Sequence, residues 1–170
     1  DLTLRNRVVM APMCMYVAGE DGQAPDWHRA HYCARATGGV GLILTEATAV
    51  EARGRISPAD LGLWDDAQIE PLARLVRLCQ AQGAAVGVQL AHAGRKAWSA
   101  QHGRGPATPV GPSPLPFADD WVVPHALTPA EIAGVVDAFV AAARRARAAG
   151  CDTVELHAAH GYLLHPFLSP

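Results

Sequence analysis

Apolar residues arrive along this chain in short runs, each followed by a polar or glycine-containing stretch. The runs are RVVMAPM (7–13), GLILTEA (41–47), AVGVQLAHAG (85–94) and TVELHAAHG (153–161). They do not alternate strictly as a half-exposed strand would. Brief, largely apolar runs predict strands buried on both faces, as in a parallel sheet.

Stretches of helical period fill the gaps. Asp26 is placed to cap a helix reaching about Thr37, with Gly38 and Gly39 ending it. Asp65 followed by Gln68 has the pattern of a capping box. Beyond it Ile69, Leu72, Leu75, Val76 and Cys79 form an apolar stripe that Gly83 stops. Thr128-Pro129-Ala130-Glu131 offers a capping hydroxyl, a proline at the first helical position and a glutamate three residues on. Ile132, Val135, Val136, Phe139 and Ala143 then supply a face for burial up to Gly150.

Alternating strands and helices with short links imply parallel crossovers, which leaves an open doubly wound sheet or a (β/α)₈ barrel. The first strand is not followed by GxGxxG, which argues against a dinucleotide-binding unit of the doubly wound kind. Both folds would gather chemistry at the C-terminal ends of the strands. Four units are half a barrel, so the expectation is the N-terminal half of a single domain, a fragment inactive by itself. The segment 94–125 is long and rich in Pro and Gly, and its place after the third strand predicts a loop or lid over the site.

Charge narrows the function classes. With 14 Lys and Arg against 16 Asp and Glu, the chain lacks the basic surplus of a nucleic-acid binder. Arg144, Arg145 and Arg147 read as the solvated face of a helix. No apolar run is long enough for a membrane span, and the first residues have no signal-peptide core. The 4 cysteines are scattered without a CxxC pair, so neither a zinc ribbon nor a disulfide framework is expected. Cys33, Cys79 and Cys151 read as reduced packing residues of a cytoplasmic protein.

The strand ends collect an unusual set: Pro12, Met13, Cys14 and Tyr16; Glu46 and Ala47; Gln89 and His92; His157, His160 and Tyr162. No carboxylate pair converges on it, and no nucleophile elbow is present. His157 and His160, at an HxxH spacing, leave open a metal-dependent hydrolase. A lone histidine would read as a satisfied polar residue, but two beside a tyrosine at a strand end point to a functional site.

The motifs APMCMY, TEATAV, GVQLAHAGRK and VELHAAHGYLLHPFLSP, in that order, resemble the Old Yellow Enzyme family of flavin-dependent ene-reductases. The cysteine after Pro-Met and the His-His form of the last motif resemble its thermophilic-like bacterial branch. The resemblance implies a TIM barrel, of which this chain would supply about the first four βα units. A dienoyl-CoA reductase relative would need an iron–sulfur cysteine cluster further along.

The resemblance implies FMN as cofactor, NADPH or NADH as reductant, and reduction of the C=C bond of an activated alkene. Ala11, Pro12, Met13, Cys14, Ala47 and Gln89 would contact the flavin, with the Cys14 thiol tuning its electron affinity. His157 and His160 would bind the substrate oxygen, with Tyr16 adding a contact, and Tyr162 would protonate the α-carbon. Arg95 and Lys96 would serve either the site or a salt bridge, and His165 would be structural. No metal is implied, and the full-length protein is expected to form a homo-oligomer.

Overall fold

A computed structural model describes residues 1–98 and 108–169. Its main sheet is 5-stranded and parallel, built from β1 (Val9–Met10), β2 (Leu42–Ala49), β3 (Leu61–Gly62), β4 (Ala85–Ala91) and β7 (Thr153–Leu156). A separate pair, β5 (Val110–Gly111) and β6 (His125–Ala126), lies within the excursion after β4. The helices are α1 (Asp26–Thr37), α2 (Ile69–Gln80), α3 (Pro129–Ala148) and α4 (Leu164–Leu168).

Strand order separates the two architectures that alternation left open. The order is β1-β2-β4-β7, which follows the chain without reversal, while β3 adds briefly to the far end of β2. A doubly wound sheet reverses direction at a switch point; a barrel adds each strand beside the last. The chain therefore forms about the first four βα units of a (β/α)₈ barrel, with β1 and β7 as the outer strands of an unclosed sheet.

The central strands have no polar face to water, as their composition requires. All of β2 except Leu42 is buried, and all of β4 except Ala85. Close packing leaves no room for a side chain at Gly87. A Cβ there would stand 2.7 Å from Leu44 Cδ2 and 2.6 Å from Thr153 Cγ2, atoms of the two neighbouring strands. Tyr32, Leu75, Val76, Cys79, Ala142 and Ala146 from the helices complete the core against Ile43, Val86 and Val88.

Two helix starts match their sequence signals. Asp65 Oδ1 accepts from Ala67 N at 2.8 Å while Gln68 Oε1 accepts from Asp65 N at 2.9 Å, opening a 3₁₀ turn that leads into α2. Thr128 and Glu131 exchange the equivalent bonds at the start of α3. The α2 stripe is buried as expected, apart from a half-buried Ile69.

Other elements differ. Pro25, not Asp26, occupies the N-cap position of α1, with no side-chain cap; Asp26 is the first helical residue, and its carboxylate pairs with Arg29. The first strand shrinks from 7–13 to Val9–Met10, because from Ala11 the chain leaves the sheet and Pro12 has no N–H for the ladder. Val136 is 56% exposed rather than buried; with Leu127, Val135, Phe139, Leu163 and Phe167 it lines an apolar groove of about 340 Å³. Arg145 is not simply solvated, since its Nε donates to Asp66 at 2.7 Å. Of the expected lid, 99–107 lies outside the described residues.

Candidate active site at the strand ends

One cavity of about 580 Å³ opens where the strands end. Ala11, Pro12, Met13, Cys14 and Tyr16 reach it from the loop after β1, Ala47 from β2, and Gln89 from β4. His157, His160 and Tyr162 enter from the loop after β7. Residues separated by almost the whole chain thus share one wall. The same ends carry Glu46 and His92, but neither of these lines the cavity.

A bulge in β2 explains why Ala47 and Glu46 part company. Register with β4 shifts between Thr45 and Ala47, so Ala47 pairs with Gln89 and Glu46 is skipped. The extra residue re-aims its side chain. Glu46 is buried against His28 of α1, and Ala47 presents its methyl to the cavity. His92 is also buried: its Nε2 lies 3.0 Å from Glu51 Oε2, and its Nδ1 accepts from Gly94 N at 3.0 Å. That pattern puts the ring proton on Nε2 and makes His92 a clip between two loops.

His157 has the same kind of fixed tautomer, pointed at the cavity. Its Nδ1 accepts from Ala159 N at 3.3 Å, which leaves Nε2–H as the donor. Burial, with His160 adding to it, lowers the His157 pKa and keeps the ring neutral. The His160 ring stands 5.2 Å from that of His157, at 80°. Burial raises the Tyr162 phenol above its usual value, so it stays protonated at neutral pH.

Backbone strain is concentrated here. Among the described residues, Tyr16 (φ 54°) and His160 (φ 58°) are the non-glycine positions with positive φ, and both face the cavity. Each such conformation costs about 1–3 kcal/mol and persists only where surrounding contacts impose it. His160 is held by Lys96, whose Nζ donates to its carbonyl at 3.0 Å. Gly161 follows at φ 74° and donates its N–H to His165 Nδ1 at 2.9 Å, a structural role for His165.

Cys14 is a thiol and not a thiolate. Burial, with Asp60 and Glu46 adding negative charge, pushes it up to about 11. Burial also lifts Tyr16 to about 12. The cavity wall suits a flat heteroaromatic ring: small side chains at Ala11, Pro12 and Ala47, a weak thiol donor, and the amide of a buried Gln89. An FMN ring fits this donor set. Among the described residues no group of three His, Cys, Asp or Glu is placed to hold a metal ion.

Some participants were not singled out by sequence. Glu155 lines the cavity and accepts from Gln89 Nε2 at 2.5 Å, which fixes that amide. The signal was its position two residues before His157, on the same face of a strand. Ile56 also lines the cavity. Lys96 belongs with the site rather than with a salt bridge, its ammonium lying 4.9 Å from the Tyr162 ring centroid and 4.4 Å from that of Phe117. Arg95 lies 5.9 Å from the Phe117 ring.

Residues 1–170 match the NADH:flavin oxidoreductase / NADH oxidase family. An NADPH dehydrogenase of Geobacillus thermodenitrificans is 52% identical over 170 residues, 99% of this chain and 48% of that protein. A solved structure of morphinone reductase in complex with tetrahydroNAD superposes with a TM-score of 0.87 at 33% identity, over 99% of this chain and 49% of that one. The old yellow enzyme homologue from Zymomonas mobilis gives 0.85 at 34% identity, over 95% of this chain and 47% of that one. The chain spans about half the length of the curated relatives it matches. With the family matched from end to end and the flavin-compatible cavity in place, this chain belongs to the NADH:flavin oxidoreductase / NADH oxidase family, among the Old Yellow Enzymes.

Proposed function

We propose that the full-length flavoprotein containing this chain is an FMN-dependent NAD(P)H oxidoreductase that reduces the C=C bond of activated alkenes such as enones. When bound, FMN supplies the hydride it has received from NAD(P)H. Ala11, Pro12, Met13, Cys14, Ala47 and Gln89 would hold its ring.

The remaining steps fall to this chain's own side chains. His157 Nε2–H and a ring N–H of His160 donate to the substrate's carbonyl or nitro oxygen. Two donors aimed at one oxygen stabilise the negative charge that grows there as hydride reaches the β-carbon. Tyr162 delivers its proton to the α-carbon. Its raised pKa keeps it loaded at neutral pH, and a carbanionic centre is basic enough to take the proton. Tyr16 adds a contact to the substrate. The described parts of the excursion after β4 cover the site, a reading supported by Lys96, whose ammonium lies over the rings of both Phe117 and Tyr162.

The observation that carries this reading is the fixed His157 tautomer beside His160 and Tyr162 in one cavity. The test is anaerobic single-turnover kinetics of the full-length holoenzyme. Tyr162→Phe is expected to leave flavin reduction by NADPH within a few-fold of wild type while enone reduction drops about a hundredfold or more. Undiminished enone reduction would remove Tyr162 from the role of acid.

A further inference from the structure

Glu46 is a buried carboxylate that the proposed chemistry does not use. It is 1% exposed, and both of its oxygens are engaged. Oε1 meets Nε2 of His28, itself fully buried on α1, and Oε2 accepts from the backbone N–H of Met15 at 2.6 Å. Its own backbone N–H donates to the hydroxyl of Tyr32 at 2.9 Å. Met15 stands between Cys14 and Tyr16, and Tyr16 is one of the strained positions.

The loop after β1 is otherwise held near here by the Cys14 thiol, which bonds the Ala47 backbone and Tyr16, and by Met15 packing on the core. It has left the sheet ladder after Met10, and Met15 N–H is tied to a side chain and not to a neighbouring strand. The bulge that turns Ala47 toward the cavity is the same one that turns Glu46 toward this loop. One irregularity therefore sets two cavity walls. Loss of one partner would leave a buried charge or a buried imidazole unpaired, a costly arrangement.

We infer that Glu46, backed by His28, is a positioning residue: through Met15 N–H it sets the placement of Cys14 against the flavin and of Tyr16 against the substrate. The inference rests on the function proposed above. For the placement of this loop, and so for turnover, the reach of the carboxylate matters more than its charge. Gln keeps the reach and one acceptor oxygen for Met15 N–H, whereas Asp keeps the charge and falls one methylene short.

The experiment compares Glu46→Gln and Glu46→Asp in the full-length holoenzyme, reading the FMN-to-protein ratio, the flavin reduction potential and kcat for an enone. Glu46→Asp is expected to retain FMN, to shift the potential and to lose about tenfold or more in kcat, since small misplacements of reacting groups are costly. Glu46→Gln is expected to keep kcat within about threefold of wild type, even where the lost negative charge near Cys14 moves the potential. If Gln falls as far as Asp, or if Asp behaves as wild type, the positioning role is overturned. A wild-type enzyme that holds no FMN or leaves the enone intact would instead overturn the proposed function, and that result is read independently of either variant.

Discussion

The imidazole of His157 meets the ring of Tyr162 edge-on, with centroids 4.8 Å apart and planes at 89°. Five positions apart in sequence, they are brought together by the turn through His160 and Gly161, both in left-handed conformation. The proposed hydrogen-bond donor for the substrate oxygen is thereby packed against the proposed proton donor for its α-carbon. Edge-to-face packing of this kind also stiffens both rings, which favours preorganised donors over mobile ones.

His160→Ala in the full-length holoenzyme is expected to weaken binding of a phenolic inhibitor by roughly 1.5–3 kcal/mol, the range for a hydrogen bond to a charged group. Flavin reduction by NADPH should be affected less than alkene turnover. Spectroscopic titration with a substituted phenol measures the first effect, and separate half-reactions the second. Unchanged phenol affinity would detach His160 from the oxygen site.

Cys14 is expected to tune the flavin without attacking substrate, because its thiol is pushed up to about 11 and stays protonated at neutral pH. Cys14→Ala should therefore retain FMN, shift the flavin's reduction potential and keep measurable alkene reduction. Spectroelectrochemistry reads the shift. Complete loss of turnover at an unaltered potential would contradict this role.

Acid should destabilise the fold in part through His157. Burial holds its folded pKa below the ordinary value of 6.5, so under acid conditions the unfolded chain binds the extra proton first. The stability this contributes is complete above pH 6.5 and is lost as the pH falls through the lowered value. His31, also lowered by burial, acts in the same direction. Melting midpoints followed from about pH 8 to pH 5 should decline less steeply for His157→Gln than for wild type. Equal slopes would show that His157 does not contribute.

Gly54 tests the clip made by His92. A Cβ there would stand 2.7 Å from His92 Cδ2, and that ring is locked by Glu51 and by Gly94 N–H. Gly54→Ala should cost about 1–3 kcal/mol, the usual penalty for overpacking. The penalty should shrink when His92 is also replaced by Ala, a coupling that chemical denaturation of the four variants would measure. Additive losses would mean that the ring moves aside freely.

Local sequence determined the central strands β2 and β4 and the three long helices. Strands without polar alternation and the two capping boxes at Asp65 and Thr128 act over a few residues, through backbone hydrogen bonds and side-chain periodicity. The motifs also located the cavity residues at strand ends, because parallel strands flanked by helices expose their C-terminal ends together. What the sequence could not state was direction and partnership. Glu46 and Ala47 are neighbours, yet a bulge sends one to His28 and Met15 and the other into the cavity. His92 and His157 look alike at strand ends, but one is clipped between loops and the other lines the cavity. Gln89 and Glu155 share a hydrogen bond only because β4 and β7 pair in that register. These outcomes depend on contacts between segments far apart in the chain, where strand register and packing choose one orientation among several that local preferences allow.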